Sequence, residues 1–207
     1  MLQRATERLS ACALLAAALG VSAAHAFDPG DVERLRATKS CVFCDLRNAD
    51  LTNADLRDAN LSRADLRNAD LSNADLRGAN LALAFMTRAD LTDADLTQAN
   101  LEDAILHLAT LTNANLTDAN LSRADLWLAN LTKANLEGAN LLLANLMNAQ
   151  LAGANLSHAD LWRANLTFAD LTGANLTDAD LSEVVICTIM PDGRVDSSGC
   201  PGPGTYR

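Results

Sequence analysis

The sequence predicts an all-β solenoid whose coils have four sides of five residues each. Three observations predict it. Leu recurs at every fifth residue from Leu46 to Leu181, with Met86 the one substitution and Ile186 closing the series. Ala stands two residues before almost every one of them, and Cys44 and Val184 fill that slot at the two ends. Outward residues resemble each other at a spacing of twenty, as in Asn60, Asn80, Asn100, Asn120 and Asn140.

The five-residue unit, A-(D/N)-L-x-x, excludes the two regular alternatives. Ala and Leu favour helix by propensity. At about 100° per residue, however, successive Leu would lie about 140° apart and leave no apolar face. In a straight strand an odd period would put successive Leu on opposite faces. Ala and Leu share a face only within one extended unit, so the chain must bend once per unit. The two x positions take the bend, and Thr, Ser, Gly, Asp, Asn and Arg dominate there, as turn chemistry expects. All four prolines lie outside the repeat, where the stack does not need their missing N–H. Aromatic residues are only 3% of the chain, so the core is a narrow column of Leu and Ala.

Coil size follows from vertical register. A spacing of fifteen would stack Asn60 on Asp75 and Asp90. A spacing of twenty keeps the asparagine column and also sorts the large apolar residues in outward slots. These are Leu83, Phe85, Ile105, Leu108, Trp127, Leu128, Leu142, Leu143, Met147, Trp162 and Phe168. Folded on twenty, all fall on two adjacent sides. Such a concentration marks a partner or oligomer surface, with Trp127 and Trp162 as its natural anchors.

The run ADLTNADLRDANLSRADLRNADL resembles the pentapeptide-repeat proteins over about 140 residues. The resemblance implies a right-handed quadrilateral β-helix, here of about seven 20-residue coils over residues 44–186. The flanks TKSCVFCDL and ICTIMPDGRVDSSGC look like the ends of exported bacterial members. Some members of the family resemble duplex DNA in shape and charge and inhibit DNA gyrase, which supplies an alternative function.

The ends of a parallel stack need covers. Residues 27–43 form the N-terminal cap. Asp28 as N-cap and Pro29 at the first helical position start a short capping helix that should end near Ala37, with Val32 and Leu35 facing the first coil. Residues 187–207 read as a Gly- and Pro-rich loop. Seven coils at about 4.8 Å place the two ends about 34 Å apart, and a disulfide requires Cα atoms within about 7 Å. Cys41 and Cys44 therefore cannot reach Cys187 or Cys200. The pairings left are Cys187–Cys200, stapling the C-terminal loop, and the tight Cys41–Cys44, as a disulfide or as two thiols. Cys41-Val42-Phe43-Cys44 also matches a redox C-x-x-C pattern, but no thioredoxin-like unit accompanies it, and a structural role is expected.

Residues 1–26 read as a secretory signal peptide. Arg4 and Arg8 precede an apolar stretch from about Ala11 to Val21, and Ala24-His25-Ala26 is a small-x-small cleavage site. The apolar run is shorter than the ~20 residues a membrane span needs. Leu9-Ser10-Ala11-Cys12 is not a lipoprotein box, because its apolar region follows the cysteine instead of preceding it. The mature chain should begin at Phe27, in the periplasm or outside the cell. The net charge of −10 becomes −11 without Arg4, Arg8 and Glu7. That charge disfavours nucleic acid and anionic membrane surfaces as partners.

No catalytic constellation, metal site or cofactor motif is expected. His107 and His158 occupy corners on different sides, more than two coils apart. The columns Asp50, Asp70, Asp90 and Asp55, Asp75, Asp95 are the default outward residue of the repeat, neutralised in part by Arg57 and Arg77. Asp192-Gly193-Arg194-Val195-Asp196 lacks the spacing and closing Glu of a calcium loop. The expected function is a non-enzymatic exported scaffold that binds a protein partner or itself. A DNA-mimic reading is disfavoured by magnitude: 34 Å of duplex carries about 20 negative charges at one per about 1.7 Å.

Overall fold

In most units an Asp or Asn caps the bend. The side-chain Oδ1 accepts from the backbone N–H two residues on, as from Thr52 to Asp50 (3.1 Å), Ser62 to Asn60 (3.2 Å) and Thr177 to Asn175 (3.1 Å). The Leu carbonyl then accepts from the next Ala, as Leu46 does from Ala49 at 3.1 Å. The second x residue closes the turn in the left-handed region, at φ +57° for Asn48 and +55° for Asn53. A positive φ at the third residue of a four-residue turn is a type II signature.

The computed structural model describes residues 27–184 and 187–196. Parallel bridges join outward residues twenty apart, from Ser40↔Asn60 to Asp160↔Asp180. One turn of the coil therefore takes four units. Side A holds the units of Leu46, Leu66 and onward; sides B, C and D begin with the units of Leu51, Leu56 and Leu61. Neighbouring coils exchange three bonds per unit, as in Leu66 N–H to Phe85 C=O (2.7 Å), Phe85 N–H to Ala64 C=O (2.9 Å) and Asn68 N–H to Thr87 C=O (3.0 Å). Every Leu column residue from Leu46 to Leu171, Met86 included, is buried. A fully buried Leu is worth about 1.5–3 kcal/mol, so the column supplies the stability that turns alone cannot.

The first coil is covered by α1 (Pro29–Thr38). Asp28 caps it by accepting from Gly30 N–H at 2.9 Å; it ends at Thr38, one residue beyond the expected stop, with Lys39 as C-cap at φ +55°. Val32 and Leu35 are its buried residues. α1 is tied down by Asp28 N–H to Asp45 C=O (3.1 Å) and by Asp31 Oδ2, which accepts from Asp45 N–H (2.8 Å).

The other end departs from the expected loop. Thr188–Ile189 is a strand, β1, paired antiparallel with β2 (Val195–Asp196). β1 also continues the stack: Leu171 N–H donates to Ile189 C=O (2.8 Å) and Gly173 N–H to Pro191 C=O (2.9 Å). The bridge Asp170↔Ile189 spans nineteen residues where the others span twenty, so the register slips by one. The reason is the open ladder of the last coil, whose side B edge needs a partner more than the repeat needs its pattern. Leu176, Ala179, Leu181 and Val184 are only partly buried. Residues 1–26, read above as a signal peptide, Ile186 and Cys200 lie outside the described residues.

Candidate interaction surface

The apolar outward residues stand on sides A and D, and the structure divides them. Leu83, Phe85, Leu108, Trp127, Leu143 and Phe168 are exposed, at 42, 45, 39, 37, 44 and 50%. Ile105, Leu128, Leu142, Met147 and Trp162 are half-buried. Phe85 bridges Ile105 in the next coil. Arg163 lies over the Trp162 ring at 4.3 Å and also pairs with Glu183 at 2.5 Å. This cover explains why Trp162 is less open than its corner position suggests.

Two backbone observations mark some of these residues as poorly suited to the turns they occupy. Leu83, Leu108, Leu128, Leu143 and Phe168 all occupy the closing position of the turn, at φ +57° to +60°. Bulky side chains are disfavoured there by about 1–2 kcal/mol. Phe85 and Ile105 replace the Asp or Asn that caps the turn, so Thr87 and His107 lack the side-chain acceptor their counterparts have.

Charge near the surface is organised in pairs. Arg123 donates to both carboxylate oxygens of Asp103 at 2.8 Å and also bonds Glu102. His107 packs edge-on against Trp127, with ring centroids 5.6 Å apart. Its buried Nε2 is 2.5 Å from Asp125 Oδ2, close but outside hydrogen-bonding geometry. His158 lies 3.8 Å from Asp178. The two histidines do not meet.

Within the repeat, sides B and C carry no large apolar residue in an outward slot; Ile189 of β1, stacked on Asp170, adds one at the end of side B. On side C, Arg57 holds Asp55 (2.8 Å) and reaches Asp75 in the next coil (3.5 Å), and Arg77 repeats this with Asp75 (2.6 Å) and Asp95 (3.6 Å). The Arg57 guanidinium, with Lys39, holds the Asp55 carboxyl well below the usual range, and Arg77 does the same for Asp75. Farther along, the column becomes an amide ladder. Asn115 Nδ2 donates to Asp95 (3.3 Å), Asn135 to Asn115 (3.3 Å), Asn155 to Asn135 (2.9 Å) and Asn175 to Asn155 (2.9 Å). All donate toward the N-terminus. A carboxylate accepts but cannot donate, so the side C Asp are bridged by Arg, while the Asn bond one another directly and the side B Asp50, Asp70 and Asp90 accept from the hydroxyls of Thr52, Ser72 and Thr92.

Cys41 and Cys44 are joined by a disulfide with Cα atoms 5.2 Å apart. Asp31, Cys41 and Cys44 bring donor atoms within 4.8 Å of one another, but both sulfurs are used in the bond. Cys187 is disulfide-bonded, and its expected partner Cys200 is outside the described residues. Sequence reasoning missed Asp31 and Arg34. Their spacing of three on a helix aimed at the cysteines was the available signal. Among the described residues, no helix is long and apolar enough to cross a membrane.

The family model for pentapeptide repeats matches residues 44–82, 69–107, 109–142 and 144–183. The chain belongs to the pentapeptide repeat family. No curated protein matches it significantly. Among solved structures it is similar to HetL, a pentapeptide repeat protein involved in heterocyst differentiation regulation from the cyanobacterium Nostoc sp. strain PCC 7120. Identity is 30%, over 83% of this chain and 100% of HetL, with a TM-score of 0.37. A pentapeptide repeat protein of the Arabidopsis thaliana thylakoid lumen is 34% identical over 45% of this chain and 65% of its own, with a TM-score of 0.44. QnrB1, a plasmid-mediated fluoroquinolone resistance protein, is 24% identical over 65% of this chain and 78% of its own, with a TM-score of 0.48.

Proposed function

We propose that this pentapeptide repeat protein is a non-enzymatic binding scaffold that acts outside the cytoplasm. It engages a protein partner or a second copy of itself through sides A and D. The reading includes a right-handed coil of about seven turns, and a cleaved signal peptide that leaves Phe27 first.

One observation carries it. Leu83, Leu108 and Leu143 are exposed and sit at a backbone conformation that disfavours them. Folding gains little from such residues, so their benefit lies in contact with something else. The acidic-rod alternative is weaker, because Arg47, Arg57, Arg67 and Arg77 each neutralise an aspartate of the first coils.

The test replaces Trp127 with Thr and Trp162 with Ser, the residues the repeat itself uses in those columns at Thr167 and Ser122. Mass in solution and partner capture from the protein's own compartment are then compared with wild type. Loss of self-association or of a captured partner is expected. No change in either removes the surface from the account. Cell fractionation with N-terminal sequencing tests export, and cytoplasmic protein retaining residues 1–26 would refute it.

A further inference from the structure

The N-terminal cap holds a group of side chains that the interaction surface does not use. Asp31 and Arg34 lie one turn apart on α1 and converge on the Cys41–Cys44 pair. Arg34 Nη2 donates to Asp31 Oδ1 at 2.8 Å. The same nitrogen is 2.6 Å from Cys44 Sγ but 3.9 Å from Cys41 Sγ. Both cysteines are buried, at 0 and 1% exposure, while Phe43 between them is 68% exposed.

From this geometry we infer that Cys41–Cys44 is a reducible latch on the N-terminal cap, with Cys44 as the thiolate-bearing sulfur and Arg34 as the residue that positions and stabilises it. A bond between residues three apart closes a very short loop, so it removes little chain entropy and is a poor staple. A guanidinium against one sulfur favours that sulfur as thiolate, and the stabilised thiolate is the better leaving group in exchange. The unequal distances select Cys44.

The step runs with a dithiol as co-reactant. One reductant thiolate attacks Cys41 Sγ. The Cys41–Cys44 bond breaks, and its electron pair goes to Cys44 Sγ, which remains a thiolate beside Arg34. The second reductant sulfur loses its proton to solvent and attacks the reductant sulfur of the mixed disulfide. Cys41 leaves as a thiolate and takes up a proton. Two electrons have passed to the protein, and the dithiol departs as a cyclic disulfide.

Access requires α1 to lift. The helix is held by Val32, Leu35 and its few bonds to Asp45, so it opens at less cost than the stack behind it. Once the sulfurs separate, the seat of Asp31 and Arg34 changes and the cap loosens.

The test treats the purified protein with dithiothreitol in native buffer. Thiols are trapped with iodoacetamide and counted on the peptide carrying Cys41 and Cys44, separately from that carrying Cys187. The latch should open without denaturant, and hydrogen exchange at the Asp45 amide should then rise about tenfold or more. Arg34→Gln should slow reduction severalfold and move alkylation of Cys44 to higher pH, and Arg34→Lys should recover most of both. A merely structural disulfide would survive until the stack unfolds. Either that outcome, or an Arg34→Gln variant with intact helix content and unchanged rate and alkylation profile, overturns the proposal.

Discussion

Replacing Asn135 with Asp tests the direction of the amide ladder. Asn135 Nδ2 donates to Asn115 Oδ1 at 3.3 Å and to Thr117 Oγ1 at 2.8 Å, while its Oδ1 accepts from Asn155 at 2.9 Å. The substitution keeps both accepted bonds, from Asn155 and from the Glu137 N–H (3.4 Å), and deletes both donated ones. It also turns a carboxylate oxygen toward the Asn115 oxygen in a half-buried site. Two lost bonds at about 0.5–1.5 kcal/mol each give a loss of about 2 kcal/mol at neutral pH. The penalty falls on the ionised form, so the folded pKa of the introduced carboxyl lies above the unfolded value of about 3.9. The loss is complete above the folded value. It shrinks as pH falls through it, because the protonated acid can donate one bond again. Urea unfolding of Asn135→Asp and wild type at pH 7.5 and pH 3 measures both effects, with Asn73→Asp at an exposed corner as the control for added charge. A variant no weaker than that control at pH 7.5, or a loss undiminished at pH 3, would refute the donor–acceptor account.

Two further outcomes follow from the same geometry. In Arg57→Gln/Arg77→Gln, the carboxyls of Asp55 and Asp75 lose the cations that hold them low. Those depressed values contribute stability above about pH 3.9 that is lost as pH falls through the folded values. The variant should therefore melt below wild type at pH 7, and the gap should close toward pH 2; a constant gap would show that the pairs contribute by packing. Leu143→Asn puts a residue tolerant of positive φ at a corner of +59°. It should raise stability by on the order of 1 kcal/mol, read from the urea midpoint, while a drop would show that Leu143 is packed for the coil itself.

How much was legible depends on how local each interaction is. The bend, its Asx cap and the inward Leu and Ala are set within five residues, and the pattern repeats them often enough to be read directly. α1 was legible for the same reason, since Asp28 and Pro29 act on the next turn. The register slip at Ile189 was not legible, because the unpaired edge of the preceding coil causes it and no residue in ICTIM marks it. Exposure within the apolar set was only half legible. Column position placed Trp162 outside, but Arg163 in the same corner covers its ring.

The sequence by itself determined the five-residue period, the twenty-residue coil, the apolar column and the two sides that carry outward apolar residues. Each is a periodic property, and a solenoid converts sequence spacing directly into spatial neighbourhood. Only the tertiary structure decided what vertical neighbours do to one another. It showed Arg57 spanning Asp55 and Asp75, the amides of Asn115 to Asn175 running one way, and Arg34 resting on Cys44 instead of Cys41. These depend on side-chain reach and donor direction between coils, which spacing along the chain does not encode.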